Sequence, residues 1–219
     1  MSTIILACSS VKDYVNEAQK TMHTSYPVQL IDRKYHMDPK KMQIQLITAI
    51  EKLDPEIDTV LVAMGFCGGS WDQVSFANRR IVIPRVDDCV SLMLHTDDEY
   101  HPNLKESTHL YMMEENPEDF SLKRAFEDCK KLFEGYDEDT LFHKLFDYYT
   151  QIDIVDTGLH DCYSEKYATI AQENADLINA GLDYVQGSNR LLEKLVSGRW
   201  DEQFLVAEPG HLIRHGNFF

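Results

Sequence analysis

Short apolar runs alternate with helical stripes along most of this chain. Residues 3–7, 28–31, 59–66 and 81–86 each read as a strand, and the third is apolar throughout, the pattern of a strand buried on both faces. Residues 11–22 read as a helix. A second helix opens at Asp38 and Pro39, a capping residue followed by a proline at the first helical position. Along it Met42, Ile44, Leu46, Ile47, Ile50 and Leu53 recur at roughly helical spacing. Residues 89–94 begin a third helix, with Asp87 and Asp88 at its N-terminal end. Strand and helix alternating in this way predict βαβ units and a parallel sheet.

The middle of the chain changes character. Residues 95–105 are polar, 108–113 read as a strand, and 117–149 are acidic, aromatic and helical, broken at Gly135 into two helices that cover a face or a site. Alternation then resumes: a strand at 151–155, a helix at 163–180 closed by Gly181, a strand at 182–185, a helix at 188–196 capped by Ser188 or Asn189, and a strand at 204–207. Residues 211–219 carry no usable pattern. The expected fold is α/β, a mostly parallel Rossmann-like sheet with helices on both faces, in one or two lobes. The expected organisation is a first α/β lobe at 1–100, an acidic helical insertion at 101–150, and a segment at 151–219 that completes the same domain.

Charge narrows the partners. The 219 residues hold 37 acidic and 21 basic side chains, a formal charge of −16. A nucleic-acid partner would demand a basic face, and an anionic membrane surface would repel this one. No apolar stretch approaches the ~20 residues of a membrane span, and no basic segment precedes a long apolar one, so a signal peptide is not expected. Five dispersed cysteines, an odd number, do not form a secreted disulfide framework. The expectation is a protein of the reducing cytoplasm.

Three of those cysteines stand just past the ends of apolar runs: Cys8, Cys67 and Cys89. If the runs are parallel strands, all three emerge at one sheet edge, where open α/β folds place their chemistry. His36 follows the second strand and joins them, making a Cys8, His36, Cys67, Cys89 ligand set. Thiolates and an imidazole suit zinc, and three thiolates with a looser partner suit an iron–sulfur cluster. The sequence leaves that choice open. Gly68 and Gly69, beside Cys67, permit a sharp turn and close approach to a cofactor, with Asp88 near the same edge. Cys67 is also a candidate nucleophile in a metal-free enzyme, with His36 or His160 as base. Arg85, a charge at the end of an apolar run, reads either as a clamp for an anionic substrate or as a partner of Asp87 or Asp88. His160, Cys162, His211 and His215 are read as loop or tail residues rather than site residues.

Two segments, residues 65–69 (Gly-Phe-Cys-Gly-Gly) and 83–89 (Ile-Pro-Arg-Val-Asp-Asp-Cys), resemble the central motifs of domain of unknown function 1638. The resemblance extends to residues 36–39, 156–158 and 198–201, with Phe204, Pro209 and Gly210, in order along nearly the whole chain. It departs at Ala63 and Met64, where other members place an aliphatic residue and a tyrosine. What the resemblance implies is a cytoplasmic protein of anaerobic archaea and bacteria, encoded near corrinoid-dependent methyltransferases. It raises the expectation of a metal-dependent role in methyl metabolism. It equally allows an accessory protein that binds a corrinoid, a tetrapyrrole or a metal for a methyltransferase partner.

Overall fold

The computed structural model describes residues 2–131, 133 and 135–219. In chain order its elements are β1 (Ser2–Cys8), α1 (Lys12–Thr21), β2 (Val28–Ile31), α2 (Pro39–Glu51), β3 (Ile57–Ala63), β4 (Arg80–Pro84), α3 (Cys89–Leu94), β5 (His109–Met112), α4 (Leu122–Lys130), α5 (Glu138–Phe146), β6 (Gln151–Asp156), α6 (Glu165–Leu177), β7 (Gly181–Gln186), α7 (Arg190–Ser197) and β8 (Phe204–Ala207). They form two compact units, Met1–Leu104 with Ser188–Phe219, and Lys105–Gly187.

The first unit is built on a five-stranded sheet in the order β2-β1-β3-β4-β8. Its first four strands are parallel and β8 runs antiparallel beside β4. The apolar reading of β3 holds: Val60, Leu61, Val62 and Ala63 expose 1% or less. Chain order explains the layers. The step from β1 to β2 moves one way across the sheet and the step from β2 to β3 moves back, so right-handed crossovers put α1 and α2 on opposite faces. Helix α7 joins α1 on its face and also packs on β3 and β4. Local chemistry starts the helices as read. Asp38 accepts a hydrogen bond from the Lys41 N–H at 3.1 Å, and Pro39 takes the first helical position.

Residues 211–219, which show no periodicity, are nonetheless ordered on this unit. Val74 and Ile213 form an antiparallel bridge, and Phe218 is fully buried. Their order comes from contacts with distant chain, which no local pattern records.

The second unit has its own parallel sheet, β5-β6-β7. Alternate residues Met112, Ile152 and Ile154 enter a core with Leu122, Phe146, Tyr167 and Ala171 from its helices, packed against Leu110 and Leu182. On the other face of the sheet, His109 Nδ1 meets Asp153 Oδ2 at 2.7 Å. This unit runs past the helical insertion expected at 101–150, because β6 pairs with β5 and β7 with β6 instead of extending the first sheet. The chain returns to the first unit only at Ser188. Helix α6 stops at Leu177, and Gly181 opens β7 rather than capping the helix. Of the two cap candidates for α7, Ser188 offers its hydroxyl to the Arg190 N–H, while the Asn189 amide donates instead to the Tyr14 carbonyl.

Among the described residues, no helix is long and apolar enough to cross a membrane.

Candidate metal centre

The carboxyl ends of β1, β3 and β4 lie at one edge of the five-stranded sheet, and β1 is flanked by β2 on one side and β3 on the other. That is a topological switch point, where loops diverge to opposite faces and leave a crevice. Cys8 ends β1, and Cys89 is the first residue of α3 after β4. His36 belongs to a 3₁₀ turn, Arg33–Met37, that follows β2. The ligand atoms of Cys8, His36 and Cys89 all lie within 4.8 Å of one another. Cys8 Sγ is 3.2 Å from His36 Nε2. Both cysteines are buried, whereas His36 keeps part of its surface in solvent. All five cysteines of the chain are free thiols.

Backbone chemistry sets these positions. The Ser9 hydroxyl accepts from the Arg33 N–H at 2.9 Å, tying the loop after β1 to the turn that bears His36. Asp88 Oδ1 accepts from the Val90 and Ser91 N–H groups at 2.9 and 3.0 Å. Asp88 therefore caps α3 directly ahead of Cys89. Gly65 allows the loops after β3 and β4 to touch: a Cβ there would lie 2.6 Å from the Asp88 backbone. The same loops are joined by hydrogen bonds from Phe66 N to Val86 O (2.8 Å) and from Cys67 N to Asp87 O (2.7 Å).

Cys67 is the exception within the expected ligand set. It neighbours Cys89, whose thiol it helps to push up, but it stands outside the three-atom group. Its backbone is left-handed, with φ +47°, and Gly68 and Gly69 continue at +68° and +97°. Such a turn is cheap for glycine and costly for cysteine. A side chain at Gly68 would also meet the Pro39 ring, 2.9 Å from its Cγ. The two glycines thus shape the loop at the start of α2.

Arg85 has a structural task. Its Nε donates to the Asn217 carbonyl at 2.8 Å and its Nη1 to the Glu202 carbonyl at 2.9 Å. The guanidinium lies over the Tyr100 ring, 4.0 Å from the centroid. It pins residues 202–217 to the sheet edge. Both hydrogen bonds are made to backbone carbonyls that need donors.

Cys8 and Cys89 hold their protons as thiols. The Cys89 thiol beside it and burial push Cys8 well up, only partly offset by His36. Cys89 is likewise pushed up by its contact with Cys67 and by burial, partly offset by Cys8. Burial pulls His36 down, but the Cys8 sulfur and then Asp88 outweigh it and leave the ring above the ordinary imidazole range. Cys8 and Cys89 are thus neutral thiols beside an imidazole, an arrangement that a divalent cation would convert to thiolates.

One neighbour escaped the sequence reading. Ser10 Oγ lies 3.0 Å from Cys8 Sγ, and the Ser10 N–H lies 3.5 Å from the same sulfur. Its only trace in the sequence is a hydroxyl two residues past a strand-end cysteine, the spacing of a local side-chain cap.

Neither the curated proteins nor the solved structures contain a match to this chain. A family does match: residues 30–196 of the 219 align with Protein of unknown function (DUF1638), a span that includes His36, Cys67 and Cys89. The chain belongs to that family.

Proposed function

We propose that this is a metal-dependent protein in which Cys8, His36 and Cys89 hold a zinc-type ion and Cys67 occupies an exchangeable fourth position. The observation that carries the reading is the convergence of two thiols and an imidazole within 4.8 Å at a switch point. Tetrahedral zinc, with bonds of about 2.0–2.3 Å, requires ligand atoms roughly 3.3–3.8 Å apart, which fits inside that spread. An iron–sulfur cluster distributes its thiolates over separate irons and asks for wider spacing, so the donor set favours a single ion.

Three firm protein ligands with one replaceable position match catalytic rather than structural zinc. When bound, such an ion supplies Lewis acidity that keeps a thiol or similar soft nucleophile anionic near neutral pH. The chain's own residues do the rest. Asp88 orients Cys89 through the helix cap, Gly65 and Gly68 let the loops close, and Cys67 yields its place to substrate. The gene setting implied by the family supports methyl transfer in the cytoplasm, with a corrinoid or a methyltransferase as the partner.

The test is metal and acid-labile sulfide analysis of protein purified without oxygen. About one zinc per chain without sulfide is expected. Iron with sulfide would replace the reading with a cluster. A protein that neither contains nor takes up a divalent metal would overturn it.

A further inference from the structure

We propose that Ser10 is a positioning residue of this metal centre, donating to the Cys8 sulfur and limiting the charge that sulfur hands to a bound ion. This rests on the metal-centre reading. Cys8 is fully buried, so water cannot solvate its sulfur as an anion. A buried anion requires donors from the protein. Ser10 offers two from one residue, its hydroxyl at 3.0 Å and its backbone N–H at 3.5 Å. A hydroxyl can turn its hydrogen toward whichever acceptor is present, and the sulfur becomes a stronger acceptor as a thiolate.

The arrangement makes the two metal thiolates unequal. Cys8 is held by a serine hydroxyl and an amide, whereas the side-chain neighbour of Cys89, apart from Cys8 itself, is the Cys67 thiol, a weak donor. Cys8 becomes the anchored ligand of lower electron density. The electron-rich sulfur is Cys89, on the side where Cys67 gives way. Donors around a metal ligand commonly tune affinity and electronic character in this manner. Ser164, whose hydroxyl caps α6 in the second unit by accepting from the Tyr167 N–H, provides a control of purely structural kind.

The experiment uses the full chain with Co²⁺ as probe, reading its sulfur-to-cobalt charge-transfer band and its affinity against a competing chelator. In Ser10→Ala the band moves to longer wavelength, because a sulfur without donors releases electron density more easily. Affinity falls about 10-fold. Ser10→Thr restores both. Ser164→Ala leaves the band in place. An unmoved band in Ser10→Ala, with or without lost affinity, overturns the role of Ser10 and leaves the metal centre standing. A wild-type chain without any charge-transfer band overturns the metal centre, and this inference with it.

Discussion

The chain builds one mostly parallel and one parallel sheet and places cysteine and histidine past strand ends in both, yet among the described residues only the first gathers them into a ligand group. At the edge of β2-β1-β3-β4, Cys8, His36 and Cys89 converge. After β6, His160 and Cys162 follow Asp156 within a few residues and go separate ways. Cys162 turns into the core of its unit, 1% exposed, and burial followed by the Asp156 charge pushes its thiol up to about 11. His160 stacks on Tyr167, with centroids 5.5 Å apart, and burial holds it below the ordinary imidazole range. The difference lies in strand order. The sheet β5-β6-β7 is laid down sequentially, so its loops all pass in one direction. The larger sheet reverses direction at β1 and opens a crevice there. Residue types alone do not make a site, and a reversal of winding gives them somewhere to meet.

The largest effects expected from this contrast concern metal content. Replacing Cys8 and Cys89 together by serine should lower zinc affinity by more than about 100-fold, since even the outer partners of metal ligands are worth 10–100-fold. Cys162→Ser should leave metal content at the wild-type level. Elemental analysis of the purified variants decides, and metal loss in Cys162→Ser would erase the contrast.

Next comes proton linkage. Both cysteine ligands are protonated at neutral pH because their thiols are pushed up, so loading one zinc at pH 7 should release about two protons. Protonated His36, raised as it is, adds to that number as the solution is acidified. Affinity therefore falls as pH falls and rises as pH rises through neutrality. Calorimetry in buffers of different ionisation enthalpy counts the protons, and release of none would mean that the thiols are not ligands.

Loop closure is a smaller lever. Gly65→Ala drives a methyl group to 2.6 Å from the Asp88 backbone and should cost about 1–3 kcal/mol in denaturant unfolding, together with weakened metal binding. Gly158→Ala in the second unit meets nothing within 4 Å and suffers only its positive φ of +73°, a cost of about 1 kcal/mol. It should leave metal binding intact. Equal metal loss in both variants would show that closure of the loops after β3 and β4 is not what the site requires.

The smallest effect is electrostatic. Arg190, then Lys194, hold Asp98 down at about 2. A depressed carboxylate contributes stability that is complete above its ordinary range and fades as pH falls toward that value. Asp98→Asn should flatten only that acid limb of the stability curve, and modestly, because the carboxylate is well exposed. Tryptophan fluorescence is the suitable probe, as Trp71 and Trp200 both belong to the first unit.

Much of this molecule is written locally. Apolar runs at residues 59–66 and 81–86 predict buried strands, and β3 and β4 are found there. Asp38-Pro39 and Asp88 announce helix starts that the structure contains, because a cap needs only its own first turn. Cysteines placed at strand ends were enough to nominate an edge. Tertiary structure decided which of them meet. Cys67 is drawn aside by a left-handed turn and by its hydrogen bond to Asp87, neither visible in a run of letters. Arg85 is claimed by carbonyls more than a hundred residues further along the chain, at Glu202 and Asn217. The strands at 109–112, 151–156 and 181–186 are legible locally, but not the separate sheet they form, and Ser10 found its sulfur through a turn. The physical reason is range: periodicity and capping depend on neighbours a few residues apart, while convergence depends on strand order and on loops brought together by distant contacts.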